Sequence, residues 1–527
     1  MNVIKHVILC IIDDVKSTQF FQLINEGKLP NFQKLMETGT FCKNCITDFP
    51  SVTFPTQVSI ITGTTTGDYR NEPCHGVPAY DWLDRSVAPP RFRSYGSYSI
   101  EERIQIYKIN DDLGDNCQTL LEMVGDGENT ASITQFVNRG ATYFFPESKM
   151  KLALYYLLLR KIPRLEYYML LANTTVIHKL LDCFKRSEKF FEQNKTPVAS
   201  LLWFMTSDIL MHLYGANSDI YKKNLMHIDK VIGILLEELD KLGFLDETAI
   251  AITSDHGNYD AEKSGDLSNF IKQSALTHYH YRKNPLGNVN VAEFSGIGMF
   301  NFKSSTNRNQ YRWDHPSNSE LRRYGPKGIN LFEKLFQIEG VKLMYHRNDG
   351  NTHKNGSIQL YRKNEENQID EATIFYMGNG NDYMTKYVPD NPEKDIFNYN
   401  SDERAARLLD GKFHSIDEWL AATYHLDYPL YIDLLPRHFK NPRAADIIVS
   451  TQGKVVYHVK HGKKKNHELH CHDIGLRESS VVPLLIGGTQ EVPHTEISFC
   501  KITDIVPTLL AMLGKKPHIS VIGKNLI

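Results

Sequence analysis

The chain has 527 residues, 41% hydrophobic and 23% charged, the balance of a folded globular protein long enough for a large core plus an insertion. Its formal charge of −2 supplies no global field that would draw in a nucleic acid or an anionic membrane, so neither partner is expected.

The first stretch, Val3 to Ile12, is apolar and β-branched and runs straight into Asp13-Asp14. It is too short for the apolar region of a signal peptide with a cleavage site, and it reads as a buried strand ending at Asp13. Gln19 to Thr38 reads as a helix interrupted near Pro30 and closed by Gly39. Cys42-Lys43-Asn44-Cys45 is a lone C-x-x-C with no second pair, so neither a zinc knuckle nor a redox site is expected. The scattered cysteines point to a reduced, cytoplasmic setting. Pro55 fits the first turn of a helix that continues through Ile60-Ile61-Thr62 and stops at Gly63. Thr53 therefore falls at or just before a helix N-terminus, where free backbone N–H groups and the positive end of the dipole suit a phosphate oxygen. Spacing alone favours a plainer role for Thr53, that of an N-cap.

Asn129 to Asn138 reads as a short strand entering a loop. Leu152 to Leu159 and Leu165 to Ala172 form a greasy, Tyr-rich helical pair, expected as a buried or lid element. The alternative there is a surface that meets lipid or an apolar substrate. No run reaches transmembrane length. Ser200 to Met205 is a buried strand, followed by Asp208 and His212, four residues apart and so on one side of a helix, as a chelating pair needs. Ile220 to Leu242 reads as a long amphipathic helix ended by Gly243. Thr248 to Thr253 is the next strand, and Ser254-Asp255-His256-Gly257 closes it. An acid and an imidazole at the carboxyl end of a parallel strand sit where open α/β sheets bind ligands, and Gly257 lets the chain turn away. Strand, helix, strand in this rhythm predicts parallel βαβ units.

From about Lys303 to Pro436 the chain turns polar, rich in Asn, Lys, Asp and Tyr, and reads as an inserted α+β subdomain. Asp446 to Ser450 then resumes the core, His467, His470 and His472 follow, Val481 to Gly487 is another core strand, and Thr503 to Leu510 is the closing helix. The expected fold class is α/β: a mostly parallel central sheet flanked by helices, with a catalytic core in two parts, 1–302 and 437–527. The insertion, 303–436, is placed either to fold over the strand ends and shape the pocket or to stand apart as a peripheral subdomain.

Candidate ligands thus gather at successive strand ends: Asp13, Asp208 with His212, Asp255 with His256, and one late His. Three carboxylates and three imidazoles suit a pair of borderline divalent ions, zinc first and manganese second. Two such ions about 3.5–4 Å apart clamp the attacking and leaving oxygens of an in-line phosphoryl displacement.

With these residues in place, the chain resembles the alkaline phosphatase superfamily, and within it the type I phosphodiesterase/nucleotide pyrophosphatase family. The resemblance is carried by Ile12-Asp13, Val52-Thr53-Phe54-Pro55, Ile61-Thr62-Gly63, His75-Gly76-Val77 with Trp82, Asp84 and Arg85, Asp208-x-x-x-His212, Ser254-Asp255-His256-Gly257, His472 with Glu478 and Val482-Pro483-Leu484, and Thr503 to Leu509. The pieces agree in order, and most agree in spacing. The resemblance implies that Thr53 is the nucleophile and faces a metal. One ion would be held by Asp13, Asp255 and His256, and the second by Asp208, His212 and His472. His472 is chosen because it stands eleven residues before Pro483, which leaves His467 and His470 to a solvated loop. Three positions depart from the family pattern. Tyr80 stands where the family has a phosphate-holding Asn, a few extra residues separate Gly63 from His75, and Asp14 replaces the usual Gly.

The expected activity is metal-dependent hydrolysis of a phosphodiester or pyrophosphate bond in a small phosphorylated substrate, a nucleotide among the candidates, through a covalent phosphothreonine. A phosphomonoesterase on the same scaffold is the alternative. It needs a cation for the extra phosphate charge, for which Lys16 and Arg282 are weak candidates. A sulfatase is disfavoured, because neither Cys nor Ser stands at Thr53. A non-catalytic binding protein is the remaining class, and such a protein has no need of six ligands and a nucleophile.

Overall fold

The computed structural model describes residues 4–95, 106, 108–148, 165–192, 194–274, 276–306, 311–458, 469–472 and 475–527. Leu152 to Leu159 and His467 lie outside the described residues.

A large nine-stranded sheet forms the centre. Its strands run in the order Thr495–Ile497, Thr40–Ile46, Val481–Gly488, Thr248–Thr253, His6–Ile12, Ala199–Phe204, Thr130–Ile133 and Tyr143–Phe145, and Cys500–Lys501 also pairs with Thr40–Ile46. Val481–Gly488 is antiparallel to both of its neighbours, and every other pairing in the sheet is parallel. The three central strands are buried at every position, which is why they read as unbroken apolar runs. Helices cover both faces. Asp219–Lys241 lays Leu225, Ile228, Ile232, Leu235, Leu236 and Leu239 into one core cluster with Ser17–Asn25 and Pro30–Thr38, while Thr53–Thr62 and Ile505–Met512 fill the core on the other side.

A second, eight-stranded sheet is antiparallel throughout, in the order Val289–Phe294, Ile297–Phe302, Ile447–Ser450, Leu343–Arg347, Asn355–Lys363, Ile369–Met377, Met384–Pro389 and His414–Ser415. It extends past both borders expected for the insertion. Residues 289–302 supply its first two strands, and Ile447–Ser450, expected to resume the core, lies inside it between Ile297–Phe302 and Leu343–Arg347. The reason is physical. A strand buried on both faces carries the same apolar run whichever sheet receives it, so Ile447-Ile448-Val449 does not declare its neighbours. The core of this sheet, with Tyr345, Ile358 and Tyr431, also takes in Ile46, Phe49, Val52, Tyr259 and Cys471. The second sheet is therefore packed directly on the segments that lead into Thr53 and His472. Among the described residues no helix is long and apolar enough to cross a membrane.

Candidate active site and metal centre

The site is built at the carboxyl ends of three neighbouring strands. His6–Ile12 pairs with Ala199–Phe204 on one side and Thr248–Thr253 on the other. Asp13, the helix Thr206–Tyr214 and the Asp255-His256 turn therefore emerge side by side. Asp208 and His212 lie one turn apart on that helix, with His212 Nε2 3.2 Å from Asp208 Oδ1. His472 arrives from far along the chain. Tyr259–Asp260, just after the Asp255-His256 turn, pairs antiparallel with His470–Cys471. That short ladder delivers the His472 ring flat against His256, with centroids 3.8 Å apart and planes at 14°. His472 Nε2 is 3.7 Å from Asp208 Oδ1.

Two groups of ligand atoms result, Asp13 with Asp255 and His256, and Asp208 with His256 and His472. His256 belongs to both, its Nε2 being 3.4 Å from Asp13 Oδ1 and 3.8 Å from Asp255 Oδ1. His212 flanks the second group through its contact with Asp208. All six expected ligands thus converge.

Their chemistry fits divalent cations. Among the described residues, Asp13 Oδ1 and Asp208 Oδ1 are buried without a hydrogen-bond partner, a costly state unless a cation faces them. Burial, and then the charges of Asp255 and Asp208, push the Asp13 carboxyl well above the usual carboxylate range. Burial also opposes the charge of Asp208, yet His212 and then His472 hold its carboxyl well below that range. Burial, with His256 and His212 nearby, holds the His472 imidazole well below its ordinary value and so keeps it neutral, as a ligand must be. The Nδ1 atoms of His212, His256 and His472 face backbone carbonyls, those of His470 at 2.8 Å, Gly257 at 3.2 Å and Ser51 at 3.3 Å. A proton donated there leaves each Nε2 unprotonated, as binding a metal requires.

Thr53 is the first residue of the helix Thr53–Thr62, and Val52 holds the cap position. The plain N-cap role is thereby corrected. Thr53 Oγ1 turns toward the ligands and lies 3.3 Å from His256 Nε2. The backbone there follows the local sequence, because Thr56 satisfies the Val52 carbonyl through its own hydroxyl and Gly63 closes the helix in the left-handed conformation.

Tyr80 is half-buried and lies on Phe54, the neighbour of Thr53, with ring centroids 5.1 Å apart; Phe294 flanks it at 6.3 Å. The two cations weighed for a monoesterase are engaged elsewhere. Lys16 is paired with Glu478 at 2.6 Å, and Arg282 lies over the Tyr281 ring at 5.1 Å. His75 is fully buried and donates from Nε2 to Ser59 Oγ at 2.9 Å, while its Nδ1 accepts from the Val77 N–H. Arg85 grips both carboxylate oxygens of Asp446 at 2.8 Å, tying its loop to the second sheet. These motif residues hold the frame.

Several residues that matter were not singled out in the sequence. Gln57 donates to Asp255 Oδ2 at 2.7 Å and accepts in turn from Gln135 at 2.9 Å. Trp203 Nε1 donates to Asp13 Oδ2 at 2.9 Å. Asn258 donates to Asp14 Oδ1 at 2.6 Å. Gln57 alone carried a legible signal: it lies one helical turn after Thr53 and so on the same face.

The model of the family described as type I phosphodiesterase / nucleotide pyrophosphatase matches residues 7–314. A search of curated proteins finds no match. Among solved structures, murine ectonucleotide pyrophosphatase/phosphodiesterase 5 superposes with a TM-score of 0.54 at 12% identity, covering 97% of this chain and 96% of that one. An inactive variant of the murine protein in complex with AMP gives 0.55 at 11% identity over 97% and 96%. The human protein gives 0.55 at 14% identity over 97% and 95%. At such identities the likeness speaks for the fold.

Proposed function

The chain belongs to the type I phosphodiesterase/nucleotide pyrophosphatase family and is a phosphoric ester hydrolase, and on that premise we propose that it cleaves phosphodiester or pyrophosphate bonds of small substrates through Thr53 and a dinuclear metal site. The observation that carries this reading is the 3.3 Å approach of Thr53 Oγ1 to His256 Nε2, the one ligand common to both groups of candidate metal-binding atoms. In this reading Asp13, Asp255 and His256 hold one divalent ion, and Asp208, His212 and His472 hold the other. The donor set suits Zn2+ first and Mn2+ second. When bound, the two ions supply Lewis-acid stabilisation of charge on the attacking and leaving oxygens.

The chain's own residues do the rest. The Thr53 and Phe54 N–H groups at the start of the helix have no intrahelical partners and face an incoming phosphate oxygen with the positive end of the dipole. Thr53 Oγ1 forms a new bond to phosphorus as the bond to the leaving group breaks, and water then hydrolyses the phosphothreonine and restores the hydroxyl. Burial of Asp13, Asp255, His256 and His472 strengthens the charge interactions they make in the site. In this reading Tyr80, whose ring lies on Phe54, borders the substrate. The AMP complex of the murine structure makes a nucleotide the first substrate to try.

Purified protein loaded with zinc should turn over a chromogenic phosphodiester and a dinucleotide pyrophosphate faster than the matched monoester. A preference for the monoester would overturn the assignment in favour of a phosphomonoesterase, and absence of turnover on all three with metal retained would point to a binding protein.

A further inference from the structure

Asp14 is the carboxylate that the two ligand groups do not use. It follows Asp13, is fully buried, and has a φ of +57°, the left-handed region that glycine enters freely and a side chain enters at a cost. Its backbone is fixed there from both ends: its N–H donates to Asp255 Oδ1 at 3.1 Å, and its carbonyl accepts from the Tyr221 hydroxyl at 2.7 Å. Oδ1 accepts from Asn258 at 2.6 Å, and Oδ2 has no hydrogen-bond partner among the described residues. The residue therefore combines a strained backbone, complete burial and a bare carboxylate oxygen. Each feature destabilises the fold, and a glycine would remove all three. Costs stacked on one residue beside a site are the mark of a functional constraint.

Resting on the dinuclear reading above, we propose that Asp14, next to Asp13 and hydrogen-bonded through its N–H to Asp255, is a positioning carboxylate for the dinuclear site, adding a negative charge from outside the ligand set and tightening the hold on its ions. With Asp14 the site carries four carboxylates, Asp13, Asp14, Asp208 and Asp255, which balance two divalent cations. Without it the empty site has less to neutralise and the loaded site carries surplus positive charge.

Two variants separate charge from shape. Asp14→Asn keeps the size, tolerates the same φ and can still accept from Asn258, but loses the charge. Asp14→Gly suits the backbone and removes the side chain. Equilibrium dialysis against Zn2+, and separately Mn2+, followed by elemental analysis should find two ions on the wild type. On both variants the weaker ion should bind about 10–100-fold less tightly, the range for residues that support a metal's ligands. Melting in chelator should show Asp14→Asn no less stable than the wild type. Unchanged affinity in both variants overturns the role of Asp14 and leaves the dinuclear reading intact. A lower melting point in chelator with unchanged affinity overturns it in favour of a structural residue. Fewer than one ion on the wild type overturns the dinuclear reading and the Asp14 proposal together.

Discussion

Thr53 shows how much rests on a single helix position. As a cap it would hold up the helix; as the first helical residue, with Oγ1 3.3 Å from His256 Nε2, it is free for chemistry. Thr53→Ala should lower kcat by at least about a thousandfold, as loss of a nucleophile does, and change stability by less than about 1 kcal/mol. Thr53→Ser should keep part of the activity. An Ala variant with wild-type kcat would mean that Thr53 makes no bond to phosphorus. Gln57 supplies the second test at this scale. Removing its amide in Gln57→Leu strips Asp255 Oδ2 of its 2.7 Å donor. The variant should bind metal about 10–100-fold less tightly and lose about 1–3 kcal/mol of stability for the unpaired buried oxygen. Calorimetric metal titration and thermal melting check both, and unchanged values in the two would refute the support role. Asp13, Asp208, His212, Asp255 and His256 were legible as candidate ligands because Asp and His at strand ends are chemically distinctive, whereas His472 was separated from His467 and His470 only by the family resemblance. Gln57, Gln135 and Trp203 were not, because an amide or indole acquires its meaning only from what folds against it.

At the scale of elements, the unbroken apolar runs announced the three central strands, and Asp13, Asp208 and Asp255 could be placed from them. Tyr259–Asp260 and His470–Cys471 are too short for any periodicity, and their pairing is purely tertiary; hence the route by which His472 reaches His256 could not be read from the chain. Gly257 was expected for its freedom to turn. The structure gives it a different reason, close approach: a Cβ there would stand 2.3 Å from the carbonyl oxygen of Glu478 and 3.3 Å from Lys16 Cα. A clash with backbone atoms cannot be relieved by a rotamer change. Gly257→Ala should therefore cost about 1–3 kcal/mol, the range for overpacking, and displace the Asp255-His256 turn enough to weaken metal binding. Wild-type melting and metal content in this variant would show that the turn has room to spare.

For the whole molecule, the large sheet draws strands from both ends of the chain, and the second sheet closes on the segments carrying Thr53 and His472. The sequence flagged a change of character near Lys303 but not the true extent of the second sheet, since strand partners are set by packing. Two buried histidines in this second layer make it sensitive to acid. His438, on the helix Tyr431–Lys440, is fully buried, has no hydrogen-bond partner on either ring nitrogen among the described residues and meets Phe49 edge-on at 5.4 Å. Burial lowers its pKa to about 3. His346, on Leu343–Arg347, is lowered by burial to about 4. Both folded values lie below the ordinary 6.5 of the unfolded chain. Stability from these groups is thus fully present above pH 6.5 and is lost as the pH falls, because only the unfolded state takes up the protons. Each group removes about 1.4 kcal/mol per pH unit below 6.5, so the pair should cost on the order of 4 kcal/mol by pH 5. Melting in chelator, which takes metal release out of the comparison, should show a clear fall between pH 7 and pH 5. His438→Phe keeps an aromatic ring against Phe49 and removes the titration, so it should lose roughly half of the fall due to the pair. If the wild type and His438→Phe decline in parallel, His438 is not a source of the acid sensitivity.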